Sequence, residues 1–334
     1  MLSLRKLILI VLIVFLIIST YLILVRNKVK LKVFHAGSLL LAMEEIEETY
    51  EINNPSIDLV RETSGSVEAV RKISELHKTC DLVVVADYRV IEEYLMPNYT
   101  DWVIVFCSNE VVLCYTDNSK YSNEISKDNW YRILMKPDVK YGFSNPNMDP
   151  CGYRALSILY MASLYYGMPE LWNLTVCKHI LNVEVVINGS GHYIFFPFKM
   201  NYISGGNLVL RDKSVDLVQL LEAGVLDYAF EYRNVAVEHG LKFIELPEVL
   251  NLAHNPYVNV FVVVFSGDVE RMKTIKIDRI RYGLTIPKTC QNCGEAVKLV
   301  KWILYGEGKM ILEKHGFVII PYEYKGSVPL ELKR

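Results

Sequence analysis

The sequence predicts an α/β protein of two lobes behind a single N-terminal apolar helix. Three observations carry that expectation. The chain has 334 residues, near the size at which one core stops growing and a chain divides into domains. Beyond residue 30, short apolar runs alternate with stretches of helical spacing in the order strand-loop-helix-strand-loop-helix-strand. The third strand, Leu82-Val83-Val84-Val85-Ala86, is apolar at every position, as strands buried on both faces of a parallel sheet are.

The leader comes first. Residues 7–25 carry no charge and as a helix would span roughly 28 Å, close to the thickness of a bilayer core. Arg5 and Lys6 precede them, as in a signal peptide or signal anchor. No small-x-small cleavage site follows and no Cys lies nearby to take a lipid, so residues 1–30 read as an uncleaved membrane anchor rather than a cleaved signal peptide. Arg26, Lys28, Lys30 and Lys32 follow the segment, so flanking charge does not choose a side. The bulk of the chain is placed outside the cytoplasm on functional grounds.

Leu31–Phe34 is the first strand, and Leu40, Met43, Ile46 and Tyr50 give the first helix its buried stripe. Asn53-Asn54-Pro55 stops it. Ile57–Val60 is the second strand, Val67–His77 the second helix and Asp81–Ala86 the third strand. Trp102–Tyr115 reads as the crossing into the second lobe. There, Val139–Phe143 is a strand, Tyr153–Tyr166 a helix, and Val215–Ala223 a short helix closed by Gly224. Leu226–Phe230 is the strand that delivers Glu231, and Lys242–Leu246 is another strand, ended by Pro247. Val258–Phe265 and Tyr282–Pro287 are strands expected to return to the first lobe, followed by helices ending near Gly306 and at Gly316. Val176–Leu210 is the least regular stretch, with a turn signal at Asn188-Gly189-Ser190-Gly191. The expected division is therefore 31–115 for the first part of lobe I, 116–254 for lobe II and 255–334 for the return segment.

The net charge is −2, so no basic excess points to nucleic acid. No Gly-x-Ser-x-Gly elbow, phosphate loop or His-Glu-x-x-His helix occurs. Seven cysteines are scattered, and Cys290-Gln291-Asn292-Cys293 has the spacing of a local disulfide or of half a zinc knuckle. No second pair and no neighbouring His accompanies it, which favours a disulfide or free thiols. Asn98, Asn173 and Asn188 each begin an N-glycosylation triplet.

The informative residues lie at loop ends. Gly37-Ser38 and Ser64-Gly65-Ser66 each sit where a strand becomes a helix. A helix N-terminus presents unpaired N–H groups and partial positive charge, which suits an anion; plain N-capping by Ser is the alternative. Two such turns on neighbouring parallel strands share the carboxyl edge where open α/β sheets bind ligands. In the second half, Asp149-Pro150 opens a helix and Glu231 follows Tyr228-Ala229-Phe230. Capping explains Asp149 equally well, pairing with Arg154 is open to it, and a surface ion pair with Arg233 is the plain reading of Glu231. His35 beside the first turn reads as packing.

Two carboxylates beside an anion site repel sulfate or phosphate unless they accept a proton from the ligand. They suit an oxyanion whose centre is a hard Lewis acid, because hard centres take oxygen donors. Hexavalent molybdenum or tungsten can add two carboxylate oxygens to four oxo groups and become six-coordinate. Sulfur in sulfate cannot, so coordination number becomes the filter.

The residues that carry a family likeness are His35-Ala36-Gly37-Ser38, Ser64-Gly65-Ser66-Val67, Ala86-Asp87-Tyr88, Tyr141-Gly142-Phe143-Ser144-Asn145-Pro146-Asn147, Asp149-Pro150-Cys151-Gly152-Tyr153-Arg154, Asp227-Tyr228-Ala229-Phe230-Glu231-Tyr232-Arg233 and Tyr282-Gly283-Leu284-Thr285-Ile286-Pro287. As a set they resemble the archaeal molybdate/tungstate-binding proteins, the substrate-binding subunits of ABC importers. The resemblance implies a two-lobed class II periplasmic-binding-protein fold with its ligand cleft between lobes. It assigns Asp149 and Glu231 to the metal centre, and Gly37, Ser38, Ser66, Pro150, Cys151 and Tyr232 to the oxyanion oxygens. It implies a monomer without cofactor whose ligand is tungstate or molybdate, whose partners are an ABC permease and ATPase, and which is not an enzyme. Departures are Cys290-x-x-Cys293, a poor match over residues 185–210, and a leader without a lipoprotein Cys. The alternatives are another oxyanion or ferric ion on the same fold, or an enzyme using Asp149 and Glu231 as an acid/base pair. Ferric sites of this kind use neighbouring tyrosines, and only Tyr232 follows Glu231.

Overall fold

In the computed structural model, the described residues are 28–199, 206–265 and 272–333, with Lys6, Ile10 and residues 12–16 of the leader. The expected apolar helix of residues 7–25 therefore lies mostly outside the described residues. Among those described, no helix is long and apolar enough to cross a membrane.

In chain order the first elements are β1 (Val29–Ala36), α1 (Leu40–Asn53), β2 (Ile57–Ser64), α2 (Ser66–Ser74), β3 (Leu82–Val85), α3 (Arg89–Tyr94), β4 (Trp102–Ser108) and β5 (Val111–Tyr115). Then come α4 (Trp130–Leu134), β6 (Tyr141–Ser144), α5 (Pro150–Tyr165), α6 (Pro169–Trp172), β7 (Glu184–Asn188), β8 (Gly191–Phe195), β9 (Leu208–Arg211), α7 (Val215–Glu222), β10 (Tyr228–Tyr232), α8 (Arg233–Glu238) and β11 (Lys242–Glu245). The last are β12 (Asn259–Phe265), β13 (Met272–Lys276), β14 (Arg281–Thr285), α9 (Cys293–Tyr305), α10 (Glu307–Lys314) and β15 (Val318–Gly326).

The chain folds as two compact units. The first holds Met1–Cys107, Tyr282–Glu313 and Ile319–Arg334, and the second holds Ser108–Arg281 and Lys314–Val318. The first unit is built on a six-stranded sheet in the order β15-β4-β14-β3-β1-β2. Within it β1 runs parallel to both β2 and β3, whereas β14 is antiparallel to β3. Its core joins Phe34 of β1 and Val83 and Val85 of β3 to Ala69, Val70 and Ile73 of α2. Asp81, at the start of β3, is buried. Its carboxylate accepts N–H bonds from Lys32, Gln291 and Asn292 at 2.9, 2.9 and 2.8 Å, which fixes the loop before α9. In that loop Cys290 and Cys293 form a disulfide, one of the two outcomes favoured by their isolation in sequence.

The second unit holds a five-stranded sheet, β11-β5-β10-β6-β9, and a four-stranded sheet, β13-β12-β8-β7. In the first of these β10 and β6 are parallel and β5 is antiparallel to β10. The helix α5 buries Leu156, Ile158, Leu159 and Met161, and Trp130 of α4 meets Phe230 of β10 edge-on at 6.1 Å between ring centres.

Two expectations about sheet membership fail. The segment Val111–Tyr115, read with lobe I, pairs with β10 and β11, so the first unit ends at Cys107. The strand at 258–265, expected to return to lobe I, instead pairs with β8 and β13 in the second unit. A run of apolar residues reports that a strand is buried, not which sheet buries it. Within the irregular stretch 176–210, Glu184–Phe195 form a hairpin, β7–β8, turning on Gly189 at φ +59°, and residues 200–205 lie outside the described residues. Of the three glycosylation triplets, that turn alone exposes every residue; Thr100 and Thr175 of the other two are buried.

Candidate functional site

In the first unit, β1 and β2 run in register with Ala36 opposite Ser64. The two turns that follow therefore leave the same edge of the sheet side by side. Gly37–Leu39 forms a tight 3-10 turn into α1, and Gly65 caps α2. Neither cap uses a side chain, so Ser38 and Ser66 are not spent on capping. Ser66 Oγ accepts the Ala86 N–H at 3.0 Å, which ties the second turn to the end of β3. Ser38 Oγ shares a hydrogen bond with Tyr282 Oη at 2.9 Å. Ser64 Oγ is buried with no hydrogen-bond partner among the described residues. A Cβ added at Gly37 or Gly65 would meet nothing within 4 Å, so both glycines face open space rather than a packed neighbour.

His35 is fully buried. Its Nδ1 lies 3.1 Å from the Ala36 carbonyl and its Nε2 3.0 Å from Thr63 Oγ1. A carbonyl only accepts, so Nδ1 carries the proton and Nε2 takes the Thr63 hydroxyl hydrogen. Burial pushes the imidazole down to about 4, leaving a neutral ring that braces β1 against β2. It is a packing residue, as the sequence suggested.

In the second unit, the end of β6, the start of α5, the start of α7 and the end of β10 meet. Gly152 permits this: a Cβ there would stand 2.1 Å from the Ser144 carbonyl oxygen, so only glycine lets α5 begin against β6. Asp149 caps α5 and Pro150 opens it. Asp149 Oδ1 accepts the Cys151 N–H at 2.9 Å, and Oδ2 accepts the Ser214 N–H at 2.7 Å. The capping role is therefore real, and each oxygen keeps a second lone pair. Pro150 is exposed and has no N–H, so any contact it makes with an oxygen is through its ring carbons or carbonyl carbon.

Glu231 is where the structure departs most from the plain reading. It lies inside β10, not after it, and is only 1% exposed. Among the described residues it makes no ion pair; Arg233 instead faces Glu110 at 3.3 Å and Glu245 at 3.8 Å. Oε1 accepts the Tyr232 N–H at 2.8 Å. Oε2 is buried and has no hydrogen-bond partner among the described residues. Desolvation pushes this carboxyl up to about 8, with the Asp149 charge adding to the rise. The side chains of Ser214 and Cys151 approach closely enough to offset part of it, although neither gives Oε2 a full hydrogen bond.

Cys151 is buried with Sγ 3.7 Å from the Phe230 carbonyl, and burial holds its thiol protonated. Tyr232 Oη accepts a hydrogen bond from Arg154 Nη1, and burial raises the phenol further above its usual range. Arg154, for which the sequence left a pairing with Asp149 open, donates to Tyr232. The second unit gathers Asp149, Cys151, Glu231 and Tyr232 into one cluster; the first gathers Gly37, Ser38 and Ser66. Sequence reasoning missed Ser214 and gave no role to Ser144 or Tyr282, which it met only inside longer motifs. Ser214 was visible only as the small polar residue before the α7 pattern, a position that reads as a helix start and nothing more.

The chain matches the family of bacterial extracellular solute-binding proteins over residues 31–318. It is 42% identical over 310 residues to a solute-binding protein of Staphylothermus marinus, covering 90% of this chain and 87% of the relative. It is 38% identical over 316 residues to the molybdate/tungstate-binding protein of Pyrococcus abyssi, covering 92% and 90%. The corresponding protein of Thermococcus kodakarensis is 37% identical over 316 residues, covering 92% and 87%. Among solved structures, the periplasmic molybdate-binding protein of Azotobacter vinelandii superposes with a TM-score of 0.54 at 13% identity, covering 87% of this chain and 99% of that one, which shows a shared fold. The chain belongs to the bacterial extracellular solute-binding protein family, and it resembles the archaeal molybdate/tungstate-binding proteins within that family's reach.

Proposed function

We propose that this protein captures tungstate or molybdate outside the cytoplasm and hands it to an ABC permease driven by its ATPase. The N-terminal segment of residues 7–25 holds the protein at the membrane, and the protein works as a monomer. The oxyanion's oxygens are taken by Gly37, Ser38, Ser66, Pro150, Cys151 and Tyr232, and its metal by Asp149 and Glu231. No bond of a substrate is broken, so the protein is not an enzyme, and the oxyanion is cargo rather than a resident cofactor.

The observation that carries this reading is Glu231: a carboxylate within a strand, 1% exposed, with one oxygen unpartnered. An unsatisfied buried carboxylate oxygen costs several kcal/mol at worst and about 1–3 kcal/mol in ordinary cases. A ligand that accepts an electron pair from it recovers that cost. Sulfate and phosphate cannot, because sulfur and phosphorus do not enlarge their shell of four oxygens to take it. A tetrahedral molybdenum or tungsten centre can, becoming six-coordinate as it does so. The identity to molybdate/tungstate-binding proteins supports the same choice.

Isothermal titration of the purified chain tests the reading. Tungstate and molybdate should bind, and sulfate should not compete with them. Strong sulfate binding with neither metal oxyanion bound would overturn it.

A further inference from the structure

We propose that Asn188 is an N-glycosylation site and that its first sugar packs on the stacked rings of Tyr193 and Phe261. The site is separate from oxyanion capture. It needs only the place outside the cytoplasm that membership of an extracellular family implies, and none of its residues belongs to the oxyanion cluster.

Three triplets carry the acceptor pattern Asn-x-Ser/Thr. A transferring enzyme must reach the Asn amide and the hydroxyl two residues on together. In two triplets the hydroxyl is held in the interior. Thr100 is 1% exposed and its Oγ1 lies 2.7 Å from Thr285 Oγ1. Thr175 is fully buried and donates to the Leu171 carbonyl at 2.6 Å. The third triplet is open. Asn188 pairs with Gly191, so Gly189 and Ser190 form a two-residue turn at the hairpin tip, with all three triplet residues exposed. Gly189 at φ +59° supplies the backbone that such turns favour. An enzyme reaches this triplet without unfolding anything.

The sheet beside the turn is shaped for a sugar. Side chains alternate between the faces of a strand. Val186 and Asn188 of β7 therefore share a face with Gly191 and Tyr193 of β8 and with Asn259 and Phe261 of β12. The other face is the core side, where Ile194, Val260 and Val262 are fully buried. On the outer face Val186 is 48% exposed. Tyr193 and Phe261 are half-buried there, their rings stacked 4.7 Å apart and 10° from parallel. A Cβ on Gly191 would stand 3.0 Å from the Tyr193 ring and 3.2 Å from the Phe261 ring. Both rings thus lean over the residue opposite Asn188, and opposite residues on one face stand about 5 Å apart. A sugar on Asn188 starts beside an aromatic surface. One face of a pyranose presents C–H bonds, whose weakly positive hydrogens suit the negative face of an aromatic ring.

The transfer balances with a sugar carried on a polyprenyl phosphate as donor. Asn188 Nδ2 attacks the anomeric carbon and the N–C bond forms. The C–O bond to phosphate breaks, the phosphate leaves with the bonding electrons, and one amide proton passes to a base of the transferring enzyme.

The full-length chain, purified from the organism that encodes it, is digested and its peptides are weighed by mass spectrometry. The peptide spanning Asn188 should carry a glycan mass, and those spanning Asn98 and Asn173 should not. Ser190→Ala should remove the added mass and Ser190→Thr should keep it. A bare Asn188 in the native chain, or an added mass that survives Ser190→Ala, would overturn the site. The packing is read from melting temperature. The sugar-bearing chain should melt about 2–4 °C above the same chain made in cells without the transferring enzyme, and Tyr193→Ala should erase that difference. An equal difference in the native and Tyr193→Ala chains would overturn the contact with the rings. Tungstate affinity should be the same with and without the sugar, so a bare Asn188 leaves the proposed function standing.

Discussion

At the scale of single residues, the site sets function against stability. Glu231 is buried without full hydrogen bonding, and its carboxyl is pushed up to about 8 from an ordinary 4.5. A carboxyl raised in the folded state holds its proton longer there than in the unfolded chain. Its contribution is therefore present below pH 4.5 and is lost as pH rises from there through about 8. Above pH 8 the ligand-free protein keeps a buried, poorly satisfied negative charge. Glu231→Gln removes that charge at nearly constant volume. It should stabilise the ligand-free protein at pH 9 by a few kcal/mol, with little effect at pH 5. The same change should abolish measurable tungstate binding. Chemical denaturation at the two pH values, paired with titration, checks both halves; a variant destabilised at pH 9 would show that Glu231 is a structural group. The sequence displayed Glu231 as a carboxylate after an apolar strand but gave no sign that it lies within the strand. β10 is packed by α5 and α7, contacts that a linear pattern does not encode.

At the scale of elements, helix starts do most of the positioning. α1 and α2 begin beside one another because β1 and β2 pair in register, and α5 begins against β6 because residue 152 has no side chain. The nearest obstacle to a Cβ there is backbone, the Ser144 carbonyl at 2.1 Å, which cannot rotate away. Gly152→Ala should cost about 3 kcal/mol, at the severe end of overpacking, and should displace Asp149 with the helix start. A fall in melting temperature together with a loss of tungstate affinity is the expected outcome, and an unaltered melting temperature would contradict the close approach. The longer helices were legible in the sequence because their apolar residues recur every three or four positions, as Leu217, Val218 and Leu221 do in α7, whereas α3, α4, α6 and α8 are too short to show a period. Most strands were legible as apolar runs, but β13 and β15, partly polar, were not. Strand partnership was not: β5 and β12 are as apolar as the strands of the first sheet, and only pairing tells them apart.

At the scale of the whole molecule, the chain divides its chemistry between two units. The first offers hydroxyls and helix starts and leaves Ser64 Oγ unpartnered among the described residues, and the second offers carboxylates and leaves Glu231 Oε2 so. The first set was readable from Gly-Ser spacing at strand ends. The second was named from carboxylates at two loop ends, and the structure adds to it the burial of Glu231 with one oxygen unpartnered among the described residues. Net charge of −2 gives no long-range attraction for an anion, so selectivity must come from short-range bonding. The central claim of the proposed function is that the protein recognises a metal that can enlarge its coordination shell, not a tetrahedral dianion of a given size. X-ray absorption at the tungsten edge, recorded on the tungstate-loaded chain, tests it most directly. Six oxygen neighbours around tungsten, falling to fewer in Glu231→Gln or Asp149→Asn, is the result expected. A four-coordinate, undistorted tungstate in the native protein would contradict it, because it would leave both carboxylates outside the metal's shell.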